Sequence, residues 1–169
     1  MMDLYCGDGK GKTTAAVGLS VRAAGAGLRV LFLQFLKDGT SSEIAQMEKL
    51  GIRVKNVACM TFTFQMDEQE KARTAQRHND LLWTALAAAE DGTADLIVLD
   101  EIMAAVQTGL ADETIVRRLL AACQDGIELV LTGRDPTQEM LDAADYISNI
   151  RADRHPYERG VGARRGIEY

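Results

Sequence analysis

A chain of 169 residues, 47% hydrophobic and 26% charged, has the size and composition of one soluble globular domain. Its 19 basic and 25 acidic residues leave a net charge of −6, which argues against a general nucleic-acid binder, since such proteins carry a basic face. The three cysteines form no CxxC pair, so a zinc ribbon or thioredoxin-type motif is excluded. Free thiols, the lack of a signal pattern and the lack of any run of about 18 apolar residues lead us to expect a cytoplasmic protein with no membrane span.

Short apolar runs alternate with helical patterns along the chain. Residues 3–6 read as a first strand, followed by a glycine-rich turn and a helix over 12–26 that Gly25 and Gly27 end. Residues 28–35 (LRVLFLQF) form a second strand, 41–50 a short helix and 52–57 a third strand. The longest helix is expected over 67–90, where Asp67 and Glu70 make a capping box and Asp91-Gly92 a stop. On it, Leu82, Trp83 and Leu86 read as the buried side and His78 as solvated. Residues 96–100 (LIVLD) and 127–132 (IELVLT) are two more buried strands, separated by a helix near 112–123. Asp135 is expected to cap a helix with Pro136 at its first position, and 146–150 is a sixth strand candidate. Nearly unbroken apolar strands alternating with helices imply a mainly parallel sheet covered on both faces.

Ligands on such sheets bind at the carboxyl ends of the strands. That rim gathers the glycine loop, the turn after Phe35, Asp100-Glu101 and Gly133-Arg134. The loop Gly7-Asp8-Gly9-Lys10-Gly11-Lys12-Thr13-Thr14 opens a helix, so its amides and the positive helix end face an oxyanion. Lys12 adds a point charge, Lys10 a second, and Thr13 is placed to hold Mg²⁺. The full Walker pattern has a glycine where this chain has Cys6; the first glycine falls one place late. Asp100 and Glu101 end an apolar strand, as metal-binding carboxylates beside a phosphate site do. Arg134 is a candidate for a phosphate or ribose contact. A structural hydrogen-bonding role is the reading for His155, and core filling that for Met47, Met60, Met66 and Met103.

The ordered set GDGKGKTTAAVGLSVRAAGAGLRV, LQFLKDG, TFTF at 61–64, VLDE at 98–101, LTGR at 131–134 and RHPYERGVGARRGIEY resembles the P-loop type ATP:corrinoid adenosyltransferases over essentially the whole chain. The resemblance implies a P-loop NTPase-like (RecA-like) α/β fold of about six strands in a single domain over 1–169. It implies transfer of the 5′-deoxyadenosyl group of ATP to the cobalt of cob(I)alamin, with triphosphate as leaving group. It further implies a homodimer, a reductase such as a flavoprotein as electron donor, and ATP bound in reverse relative to most P-loops. Many members carry an N-terminal extension over the nucleotide, and some carry tryptophan where this chain has Phe64. Lys12, Thr13, Mg²⁺ and Lys10 would stabilise the departing triphosphate. Phe62 and Phe64 would fill the axial face of the corrin and ease reduction of cobalt; the same alternation is also that of a strand face packed on the core. Two other readings stand beside this one. A P-loop phosphotransferase or ATPase would call for a catalytic base or arginine finger, which the sequence does not reveal. A non-catalytic corrinoid carrier or ATP sensor would have no need of intact Lys12, Thr13, Asp100 and Glu101.

Overall fold

The computed structural model describes residues 1–57, 66–123 and 126–168. Two fully buried apolar runs, Val30–Gln34 (β2) and Leu96–Asp100 (β4), are central strands of one sheet. Around them lie β1 (Met2–Cys6), β3 (Arg53–Asn56), β5 (Glu128–Thr132) and β6 (Tyr146–Asn149), in the order β3-β2-β4-β5-β1-β6. Every pairing is parallel. The fourth residue of each central strand is therefore at the same end, and β5 separates the strand that feeds the glycine loop from the strand that ends in Asp100.

The helices are α1 (Lys12–Gly25), α2 (Ile44–Lys49), α3 (Glu68–Glu90), α4 (Ile102–Gln107), α5 (Glu113–Ala122) and α6 (Gln138–Ala143), with a 3₁₀ turn at Pro156–Arg159. They cover both faces. Side chains of α3, α4, α5 and α6 pack with Leu31, Leu33, Ile97, Leu99, Leu129 and Leu131 on one side. On the other, Ala16 and Ala23 of α1 and Met47 of α2 meet Val30, Phe32, Leu96, Val98 and Val130. The expected mainly parallel α/β sheet of six strands is thus what the chain forms.

Some expectations are corrected. On α3 the buried stripe is Thr74, His78, Leu81, Leu82, Ala85, Leu86 and Ala89, a three-four spacing that includes His78. His78 is fully buried, not solvated, and Leu36 N–H donates to its Nε2 at 3.3 Å. Trp83 lies about 100° round the helix from Leu82 and is 44% exposed, with the Arg118 guanidinium 5.0 Å from its ring centre. It is a surface residue and not core. The cap of α6 is Thr137, whose hydroxyl accepts from Met140 N–H, and not Asp135; Pro136 precedes the cap instead of opening the helix. Asp67 caps α3 as expected, accepting from Glu70 N–H at 2.7 Å. Cys6 and Cys123 are buried free thiols, and burial pushes the Cys123 thiol up to about 11. Met47, Met66 and Met103 are buried; Met60 and Cys59 lie outside the described residues.

Candidate active site

The glycine loop leaves β1 and reaches α1 through backbone ties to the edge of the sheet. Gly7 N–H donates to Arg134 O (3.0 Å) and Gly9 N–H to Ile150 O (2.8 Å). Asp8 accepts from Ala152 N–H at 3.1 Å, and that bond holds its carboxyl below the usual range. Gly9 is buried against the segment that follows β6: a Cβ there would stand 2.6 Å from the Arg151 carbonyl. Gly11 has φ 124° at the N-cap of α1, a left-handed conformation that glycine adopts without steric cost. The first-turn amides of α1 have no acceptor within the helix and face outward as an anion site.

Lys12 places its ammonium 2.8 Å from Gly9 O, inside the curve of its own loop. Burial lowers its pKa, opposed chiefly by the Glu101 carboxylate. Gly9 through Thr14 and Glu101 line a cavity of about 160 Å³ together with Ile167 and Glu168 of the tail. Lys10 and Thr14 are exposed at its mouth. The Glu168 carboxylate is gripped by Arg164 through its backbone N–H and its guanidinium (2.7 and 2.9 Å), which holds it down at about 2.

Asp100 is fully buried at the end of β4 and is the hub of the site. Thr13 and Thr132 hydroxyls donate to its Oδ1 at 2.9 and 2.8 Å. The Lys37 ammonium lies 2.6 Å from Oδ2 and 3.3 Å from Thr13 Oγ1. Thr132 Oγ1 in turn accepts from Glu101 N–H (2.9 Å) and so fixes the turn after β4. Glu101 has φ 66°, a left-handed backbone that a non-glycine residue holds only at a cost of about 1–2 kcal/mol. Desolvation raises the pKa of its carboxyl, and the neighbouring Asp100 raises it further.

The structure therefore brings together all four segments expected on the rim. Arg134 is exposed beside the loop and lines a cavity of about 560 Å³ with Gly7, Asp8, Asn149 and Arg151. His155 is the hydrogen-bonding residue expected, accepting at Nδ1 from Tyr157 N–H. Phe62 and Phe64 lie outside the described residues. Sequence reasoning missed Lys37 and Thr132 as members of the site. The signal for both was position: each sits at the carboxyl end of an apolar strand, in the segments LQFLKDG and LTGR.

A parallel sheet, a glycine loop opening α1 and a hydroxyl-bonded aspartate at the end of a neighbouring strand define a P-loop nucleotide-binding protein. The fold is similar to that of a KaiC-like protein from Pyrococcus horikoshii, with a TM-score of 0.56 and 18% identity over 89% of this chain and 71% of that one. The chain belongs to the ATP:corrinoid adenosyltransferase BtuR/CobO/CobP family, whose model matches residues 1–169. It is 32% identical to the corrinoid adenosyltransferase of Escherichia coli K12 over 98% of this chain and 84% of that protein. The same identity and coverage hold for the corrinoid adenosyltransferase CobA of Salmonella typhimurium, and identity is 28% to the corrinoid adenosyltransferase of Pseudomonas aeruginosa.

Proposed function

We propose that this chain is a single-domain transferase that moves the 5′-deoxyadenosyl group of ATP onto the cobalt of cob(I)alamin or a related corrinoid. The cobalt electron pair forms the bond to C5′. The bond from C5′ to the α-phosphate oxygen breaks, and its electrons leave with triphosphate. The observation that carries the reading is the anion cradle itself: first-turn amides of α1 with Lys12 in its curve and Lys10 at its mouth, in a chain that matches this family from end to end.

In this reading Gly7 through Thr14 surround the triphosphate, with Arg134 adding positive charge at the loop. Preorganised charge of this kind acts where negative charge develops as the leaving group departs. Thr13, Asp100 and Glu101 would hold Mg²⁺ jointly with the phosphates: they offer a hydroxyl and two carboxylates, the hard oxygen donors that Mg²⁺ takes. Bound there, Mg²⁺ would neutralise charge on the triphosphate. The Lys37 ammonium spans the Thr13 and Asp100 oxygens such a cation would use, which supports the fit.

Phe62 and Phe64 are assigned to the axial face of the corrin. A cytoplasmic setting, a homodimer and a flavoprotein-type reductase as electron donor complete the proposal. No helix among the described residues is long and apolar enough to cross a membrane. The test is incubation with Mg-ATP and chemically reduced cob(I)alamin. A corrin spectrum that shifts to the light-sensitive alkylcobalt form supports the proposal; an unchanged spectrum with ATP consumed refutes it.

A further inference from the structure

On the α1 face of the sheet, an apolar row Val54, Phe32, Val98 and Val130 crosses four neighbouring strands. Two residues further along each strand, and so on the same face, stands a polar row: Asn56, Gln34, Asp100 and Thr132. Gln34 is Cα-paired with Asn56 on one side and with Asp100 on the other. Asp100 and Thr132 are satisfied by each other, Thr13, Lys37 and Glu101. Gln34 is not. It is fully buried, and both its Oε1 and its Nε2 lack a hydrogen-bond partner among the described residues.

A buried carboxamide with neither end satisfied is costly, on the order of 1–3 kcal/mol, and native proteins keep such groups where a ligand or water completes them. Here the missing partner has a location and a chemistry. Gln34 lies one strand from the aspartate that binds Thr13, at about 4.8 Å strand spacing, on the face that carries the glycine loop. Its neutral amide offers one acceptor and one donor group side by side, the complement of a water molecule. A carboxylate in its place would add a third acid beside Asp100 and Glu101. It would also give that water a base.

We propose that Gln34 is a positioning residue of the nucleotide site, its carboxamide holding a water in the outer hydration shell of the triphosphate-bound divalent cation. The inference rests on the Mg-triphosphate reading above. Its test is calorimetric titration of ATP into the wild type and Gln34→Leu, each with Mg²⁺ and with EDTA, alongside thermal melts without nucleotide. Gln34→Leu replaces an unsatisfied amide by a similar apolar volume, so the free variant should melt at or above the wild-type temperature. Its Mg-ATP affinity should fall roughly tenfold, the upper end of what one neutral hydrogen bond contributes, while affinity for ATP in EDTA stays at the wild-type value. Gln34→Met, unbranched and adaptable, should behave alike and carries the test if the leucine variant does not fold. Wild-type Mg-ATP affinity in a folded variant, an equal loss with and without Mg²⁺, or a lower melting temperature in both free variants would overturn the inference. If wild-type binding itself were indifferent to Mg²⁺, the parent reading of the site would fall instead.

Discussion

Lys37 offers the sharpest perturbation. Its ammonium is 2.6 Å from an oxygen of Asp100, a side chain with 0% exposure, while Lys37 itself is 22% exposed. Deleting one partner of a buried pair costs about 3–5 kcal/mol because the remaining charge is stranded. Partial exposure of Lys37 and the two hydroxyls that still donate to Asp100 reduce this, so Lys37→Met should lose about 2–3 kcal/mol. For a domain of this size that corresponds to a fall in Tm of roughly 5–10 °C. Mg²⁺ should restore much of the loss, since a cation at Thr13 and Asp100 replaces the missing charge. In the wild type the ammonium competes for the same oxygens, and Mg²⁺ alone should shift Tm far less. Thermal melts of both proteins in EDTA and in excess Mg²⁺ make the comparison. A variant that melts with the wild type in EDTA, or Mg²⁺ shifts of equal size in both proteins, would refute the argument that Lys37 holds the cation position.

Three further outcomes are expected. Burial depresses the His78 pKa below its ordinary 6.5, and Leu36 N–H needs the neutral ring as acceptor. The unfolded chain therefore binds the extra proton more readily, so stability is full above about 6.5 and falls as the pH drops toward the depressed folded value. Chemical denaturation across that range should show a shallower pH slope for His78→Gln; parallel slopes would contradict the assignment. Glu101→Gly relieves the left-handed backbone at φ 66°, so its unfolding free energy from urea titration should match or exceed the wild-type value, by up to about 1 kcal/mol, while Mg-ATP-dependent turnover falls at least about tenfold. Retained turnover would remove Glu101 from the site. Phe62→Ala and Phe64→Ala should lose far more activity with cob(II)alamin and a weak reductant than with pre-reduced cob(I)alamin; equal losses would mean that both rings only pack.

What the sequence made legible follows from which signals are local. Continuous apolar runs of strand length, alternating with helical patterns, fit strands covered on both faces, so β2 and β4 and the parallel character of the sheet were readable. The same holds for the glycine loop, whose spacing and lysines serve a phosphate whatever surrounds them. At Trp83 and His78 helical phase outranks residue type: a tryptophan placed 100° off the stripe goes to the surface, and a histidine on it goes inside. Asp135 and Thr137 are both competent caps, and only the path of the chain after β5 selects the second. Lys37 and Gln34 were hidden for a different reason. Each acquires meaning from a neighbour 63 or 66 residues away, Asp100, and that adjacency is a product of strand order, which no local pattern encodes. Helix α4 was not anticipated either, its six residues being too short for a periodic signal.

The central claim is that carbon, not phosphorus, is attacked. Phosphorus NMR of the products formed from Mg-ATP and cob(I)alamin tests it directly. The account predicts intact triphosphate in one-to-one ratio with alkylated cobalt. ADP and inorganic phosphate, with the cobalt left unalkylated, would contradict it.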